Sequence, residues 1–389
     1  MNTSVSDYQK QFREAFGRND AAIVVRSPGR VNLIGEHTDY NEGFVLPASI
    51  DKAIVLVMAP RNDMLCRLRA LDLHDAYECD VRSPEKSPKV WPNYVLGVVD
   101  ELQKSGYTIK GFDCVFGGNI PIGAGMSSSA AIEGGVAVAL NTLFSLGIDK
   151  LTMVKIAQRA ENKFVGVNCG IMDQFINIFG KEKKVLKIDC RSLAYEYVPF
   201  ERENLRIVLC DTQVRRSLAA SEYNVRRAQC EQGVAVLRKS HSAVRSLRDV
   251  SPEMLMTSRH ELDPVVHSRC SYIVQENLRV TAACQALERN DFVAFGRCMF
   301  ESHAGLRDQY QVSCSELDLL VELASRREGV YGARMMGAGF GGCTINLVEA
   351  DTVDQFSSAI AQQYSVRMHV EPKIYISTIQ AGTTILTIS

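Results

Sequence analysis

The segment Pro121-Ile-Gly-Ala-Gly-Met-Ser-Ser-Ser-Ala-Ala131 constrains this chain more than any other. It follows an extended run over residues 111–116 and opens a helix of small residues over 130–143. Gly123 and Gly125 let the backbone come close to a neighbour, and Ser127, Ser128 and Ser129 put hydroxyls beside the unpaired amides of a helix start. Two readings fit the turn: an anion cradle at a helix N-terminus, or a serine-capped helix start that binds nothing. It is not a Walker A loop, because no Gly-Lys-Ser/Thr follows. Nor is it a dinucleotide fingerprint, since Ser128 occupies the third glycine position.

The rest of the chain sets limits on what such a unit serves. Its 389 residues exceed one ordinary core and point to two domains, which we expect at 1–200 and 201–389. With 44 Lys+Arg against 45 Asp+Glu the net charge is −1, which removes the broad basic footprint of a nucleic-acid or membrane-surface binder. Twelve cysteines are scattered with no Cys-x-x-Cys pair, so neither a zinc site nor a disulfide framework is expected. His267-x-x-Cys270 looks like half a metal site, but an ordinary helix surface explains it better. The polar stretch 1–18 lacks an apolar signal core, and no run of about 18 apolar residues follows. A cytoplasmic location is expected.

Strands are expected at residues 22–25, 53–58 and 111–116, and an amphipathic helix at 91–104, where Tyr94, Val95, Val98, Val99 and Leu102 recur at helical spacing. Beyond residue 200 the pattern becomes strand 205–210, helices 221–239, 266–288, 291–307 and 315–326, strand 343–348, helix 352–364 and strand 373–376. That is an α+β arrangement. No linker separates the halves.

Two further loops are dense in chemistry. The first is read over residues 26–43, where Glu36, His37 and Asp39 crowd together with Arg30 nearby. Carboxylates and an imidazole can each hold a hydroxyl, which is how a site tells one polyol from another. A metal site and a plain polar surface turn are the rival readings. The second, Met335-Met-Gly-Ala-Gly-Phe-Gly-Gly-Cys-Thr344, implies a backbone pressed against a ligand or a strand.

In this order and spacing the three loops resemble the GHMP kinase superfamily. The stretch Gly29-Arg30-Val-Asn-Leu-Ile-Gly-Glu36-His37-Thr38-Asp39-Tyr40-Asn41 is similar to the signature of its galactokinase family. The resemblance implies a two-domain mixed α/β (α+β) fold: an N-terminal nucleotide domain like ribosomal protein S5 and a ferredoxin-like C-terminal α+β domain with added helices. It implies transfer of the γ-phosphoryl group of MgATP to the C1 hydroxyl of D-galactose. Carried over residue by residue, Gly123, Ala124, Gly125, Met126, Ser127, Ser128 and Ser129 wrap the ATP phosphates and Trp91 lies by the adenine. Ser129 and Glu161, the latter in Gln158-Arg-Ala-Glu161-Asn, hold Mg²⁺. Asp173, in Cys169-Gly170-Ile171-Met172-Asp173-Gln174-Phe175, is base or orienting anion, and Arg30 neutralises developing charge. The sugar is implied to meet Glu36, His37, Thr38, Asp39, Gly170, Asp173 and Tyr223. A monomer is implied, with no nucleic-acid or membrane partner.

Ser27, Met126 and Ala338 depart from the family's usual Ala, Leu and Gly without removing a functional group. Two alternatives stay open: a kinase for N-acetylgalactosamine or another neighbouring sugar, and a catalytically silent galactose sensor. Against the sensor stand Ala130 and Ala131 after the serine triplet, together with Arg30, Ser129, Glu161 and Asp173.

Overall fold

The computed structural model describes residues 4–18, 23–121, 123–214 and 219–388, the side chains of 219–221 and 387–388 excepted. Ala22, placed above at the start of the first strand, and Ile122 of the Gly-Ser loop lie outside them. The strands are β1 Ile23–Asn32, β2 Phe44–Val45, β3 Pro47–Pro60, β4 Leu65–Ala70, β5 Asp75–Asp80, β6 Phe112–Gly118, β7 Lys184–Asp189, β8 Tyr195–Pro199, β9 Leu205–Asp211, β10 Val330–Met335, β11 Cys343–Glu349, β12 Lys373–Ser377 and β13 Thr384–Ile388. The helices are α1 Val5–Phe16, α2 Pro92–Lys104, α3 Ser128–Leu143, α4 Lys150–Arg159, α5 Met172–Phe179, α6 Ala219–Ser240, α7 Pro252–Thr257, α8 Pro264–Glu288, α9 Phe292–Gly305, α10 Ser315–Ser325 and α11 Val353–Met368.

A six-stranded sheet in the order β13-β1-β3-β6-β4-β5 anchors the first half, antiparallel except for the β4–β6 pair. Period-2 alternation explains why it is buried on both faces. Val24, Val57 and Val115 pack on α1, whereas Val25, Met58 and Cys114 join the main core. The small residues of α3 let that helix lie directly on β1 and β3.

A four-stranded antiparallel sheet, β10-β11-β9-β12, organises the second half. One face, with Val208, Cys210 and Val348, packs with Leu320 of α10 and with Phe356 and Ile360 of α11. The other face sends Ile207, Leu209, Ile345 and Leu347 into the same core that holds Val25 and Phe112. The hydrophobic core is therefore continuous across the chain.

Two features depart from the sequence reading. The stretch from residue 26 begins as strand, not loop: β1 runs on to Asn32, with Pro28 at a bulge where the register to β3 shifts. Proline in a strand argues against strand unless a bulge absorbs it. The division at residue 200 does not extend to the last strand, because β13 returns to pair with β1.

Candidate active site

Strand β1 delivers Arg30 to the site. A Cβ on Gly29 would approach the Met126 carbonyl to 2.7 Å, so only glycine lets the strand lie this close to the Gly-Ser loop. Arg30 N donates to that same carbonyl at 3.1 Å. Its side chain forks onto Asp173, Nε to Oδ1 and Nη2 to Oδ2, both at 2.7 Å. Nη1 donates to the Gly125 carbonyl and the Ser127 hydroxyl donates to Asp173 Oδ2. Burial alone would weaken the guanidinium's hold on its proton, but Asp173, Glu36 and Glu161 outweigh it and raise the Arg30 pKa. Three of the roughly four acceptor positions of the Asp173 carboxylate are thus filled, leaving one for a further donor.

Helix α3 starts beside this group without a cap. Ser127 holds the N-cap position in a left-handed conformation at φ 54°, and its hydroxyl is spent on Asp173 rather than on the helix amides. The first-turn N–H groups consequently have no side-chain acceptor, as an anion site requires. The Ser129 hydroxyl meets Glu161, which rides on a π-helical turn, Ala160–Val165. Gln174 Nε2 donates to Glu161 Oε2 at 2.6 Å and to Glu133 Oε2 at 3.1 Å. Burial raises the Glu161 carboxyl, with Asp173 adding to it, and burial with Glu161 raises Glu133 further. Glu133 Oε1 is buried with no hydrogen-bond partner. Two carboxyl groups share one amide here, a surplus of oxygen donors that a hard cation suits.

Next to Asp173 opens a cavity of about 600 Å³ lined by Arg30, Glu36, His37, Asp39, Gly170, Asp173 and Tyr223, with Gly337 and Ala338 from the β10–β11 loop. Burial pulls the His37 imidazole down to about 4, so it is neutral at pH 7. Its Nδ1 pairs with the Tyr40 hydroxyl at 2.9 Å, and Nε2 is buried without a hydrogen bond of normal geometry. Burial, with Glu36 and Asp173 nearby, lifts half-buried Asp39 to about 6. Tyr223 packs its ring 5.5 Å from His37 and 5.1 Å from Tyr40. Thr38 turns the other way: its hydroxyl is buried against the Gly35 and Phe44 carbonyls and shapes the loop from inside. Trp91 lies apart, at the start of α2, with Nε1 on Asp75 Oδ2 at 2.9 Å and its ring 5.6 Å from Phe116.

Residues 10–60 match the family described as the galactokinase galactose-binding signature, 93–181 the GHMP kinases N-terminal domain and 283–366 the GHMP kinases C-terminal domain. A galactokinase of Roseiflexus is 44% identical over 97% of this chain and 96% of its own length, and one of Clostridium beijerinckii is 41% identical over 98% of each. The chain belongs to the galactokinase family. A crystal structure of Lactococcus lactis galactokinase complexed with galactose superposes with a TM-score of 0.93 at 38% identity, covering 98% of this chain and 100% of that one. Methanococcus jannaschii mevalonate kinase, at TM-score 0.67 and 17% identity, shares the fold. Like other galactokinases, the protein is an ATP-dependent sugar kinase of the two-domain GHMP type.

Within this galactokinase fold, three side chains carry more than their sequence context suggests. Arg334 is fully buried and reaches from β10 to Glu36 at 3.1 Å and to the carbonyls of Asn32 and Leu33. Gln174 steadies Glu161, and Ser127 serves Asp173 as well as the loop. The one available signal was position: Arg334 directly precedes the glycine loop and Gln174 directly follows Asp173. No helix among the described residues is long and apolar enough to cross a membrane.

Proposed function

We propose that the protein transfers the γ-phosphoryl group of MgATP to the C1 hydroxyl of D-galactose, giving galactose 1-phosphate and ADP. The observation that carries this reading is Asp173, clamped by Arg30 and Ser127 between an uncapped helix start and a cavity lined by hydroxyl-binding side chains. The galactose in the Lactococcus lactis complex supports the choice of sugar. Residues 1–200 carry most of both sites, and residues 201–389 close the cavity with Tyr223 and the Gly337–Ala338 wall. The protein works as a cytoplasmic monomer, without nucleic-acid or membrane partners.

In this mechanism the sugar enters the cavity and offers hydroxyls to His37, Asp39, Tyr223 and the remaining acceptor position of Glu36. The C1 hydroxyl donates to the open position on Asp173. ATP lays its phosphates along residues 123–129, with Trp91 near the adenine. Ser129 and Glu161 would hold Mg²⁺, which would supply charge neutralisation for the phosphates. Arg30, between Asp173 and the loop, faces the charge that builds as the phosphoryl group moves. Phosphoryl transfer passes through a loose transition state, so alignment supplies most of the acceleration and Asp173 takes the proton late.

A coupled ADP-release assay across galactose, glucose, N-acetylgalactosamine and arabinose tests the reading. Galactose should give the highest kcat/KM; good turnover of N-acetylgalactosamine with none of galactose would overturn the substrate, and no ADP release with any sugar would favour the sensor.

Two further outcomes are expected. A Cβ at Gly170 would fall 2.1 Å from Asp39 Oδ2, so Gly170→Ala should displace that carboxylate. Losing one well-placed hydroxyl contact costs about 2 kcal/mol, so the galactose KM should rise roughly 30-fold with the ATP KM unchanged, as initial-rate kinetics would reveal. For Asp39, at about 6, the ionised form accepts hydroxyls, so kcat/KM for galactose should climb between pH 5 and 7. Asp39→Asn should remove that ionisation from the pH profile. Stability runs the opposite way, because the folded chain holds this proton more tightly than the unfolded one. That contribution is fully present below about pH 4 and lost as the pH rises through about 6.

A further inference from the structure

None of the twelve cysteines is in a disulfide, and along the described strands one directly opposed pair is cysteine with cysteine: Cys66 on β4 faces Cys79 on β5. Directly opposed residues in an antiparallel pair lie about 4.5 or 5.5 Å apart at Cα, and their side chains leave the same face of the sheet. A disulfide needs a Cα separation of roughly 4.4–6.8 Å, so this backbone already meets the requirement. The two thiols hydrogen-bond each other. Cys66 is fully buried, whereas Cys79 is half-buried on the outermost strand of the six-stranded sheet, open to solvent from its free edge.

We propose that Cys66 and Cys79 form an oxidisable dithiol site that takes a small hydroperoxide and closes to a cross-strand disulfide. The order of reaction follows from exposure. The Cys79 sulfur attacks the peroxide, the O–O bond breaks, and Cys79 becomes a sulfenic acid while the departing oxygen carries the Cys79 proton away as water or alcohol. The Cys66 sulfur then attacks the Cys79 sulfur, the S–O bond breaks, and hydroxide leaves with the Cys66 proton as water. Two electrons pass from the sulfur pair to one peroxide. The hydrogen bond from Cys66 favours Cys79 as first nucleophile by holding its thiol below the ordinary value, while burial holds Cys66 above it.

The site is separate from the chemistry described above, since neither cysteine lines the cavity that holds Asp173. Its effect falls on the β4–β5 hairpin. That hairpin carries Asp75, which receives the Trp91 indole N–H and Lys89, and Asp72, which receives Gly118 N at 2.7 Å. A crosslink between 66 and 79 removes unfolded-state freedom from the intervening segment, so the oxidised protein should melt several degrees higher.

The test treats the full-length protein with excess hydrogen peroxide, alkylates the remaining thiols and maps the peptides by mass spectrometry. A peptide pair joined through Cys66 and Cys79, lighter by two hydrogens and released by a thiol reductant, is expected, with an upward Tm shift that the reductant reverses. Cys79→Ala, at the half-buried position, should lose both the crosslink and the shift without hollowing the core, and Cys114→Ala should keep both. The proposal is overturned if Cys79 stops at sulfinic acid with Cys66 still alkylatable after unfolding, if it pairs with another cysteine, or if oxidation leaves Tm unchanged.

Discussion

Asp173→Asn should lower kcat by about 10³-fold while galactose binding stays measurable, a loss of roughly 4 kcal/mol in transition-state stabilisation. The two side chains have the same shape, so the effect comes from charge and from acceptor count. Arg30 presents two N–H groups to two carboxylate oxygens. Asparagine offers one oxygen and turns an NH₂ toward the other donor, so half of the fork opens. The Ser127 hydroxyl can accept from that NH₂, which keeps the loop in place and separates the loss from folding. What disappears is the anion proposed to align the sugar hydroxyl and receive its proton. Arg30, no longer neutralised, can also bind the phosphates more tightly in the ground state, which lowers the ATP KM without helping the reaction. Rapid-quench and equilibrium sugar-binding measurements separate these terms. Retention of near-normal kcat would remove Asp173 from the chemistry.

How much of this could be read beforehand depended on what each residue does. Helix α2 was legible because Tyr94, Val95, Val98, Val99 and Leu102 recur at helical spacing, although the fold buries more of the helix than that one face. The Gly-Ser loop was legible as a close strand-to-helix turn, because glycines there permit close backbone approach and serines put hydroxyls at a helix start, although its own residues left an anion cradle and a capped helix start both open. The β4–β5 hairpin was not, since Leu65–Ala70 and Asp75–Asp80 alternate with charged residues that look like surface. One of its arginines in fact serves the core: Arg67 joins Arg18 and Arg61 on fully buried Asp113. The same blindness hid Arg334, because its place just before the glycine loop does not by itself distinguish a buried arginine from a solvated one. Thr38 is the reverse case: the motif groups it with the residues implied to meet the sugar, while its hydroxyl is used inside the loop. A motif locates a loop; the hydrogen bonds decide which of its side chains look outward.

Arg334→Met should be the most destabilising single change near the site. The guanidinium is fully buried, and it donates to Glu36 Oε1 and to the carbonyls of Leu33, Asn32 and Met335. Methionine fills the volume but leaves the buried Glu36 carboxylate with only Gly337 N and Asn32 Nδ2 as donors, and it leaves carbonyls unsatisfied. Breaking a buried pair on one side costs about 3–5 kcal/mol. At about 2 cal/mol/K of unfolding entropy per residue, a chain of this length melting as one unit should lose roughly 4–6 °C in Tm. Lysine is no substitute, because a single ammonium cannot reach carboxylate and carbonyls in the planar fork that arginine supplies. The decisive comparison is the double variant Arg334→Met with Glu36→Gln. If the cost comes from an unpaired buried charge, neutralising Glu36 should restore a large part of the lost Tm, with a coupling energy of about 1–3 kcal/mol. If the cost comes from packing alone, the two losses should simply add. Recovery of Tm without recovery of galactose binding would show that one carboxylate both fastens β10 to the end of β1 and receives the sugar.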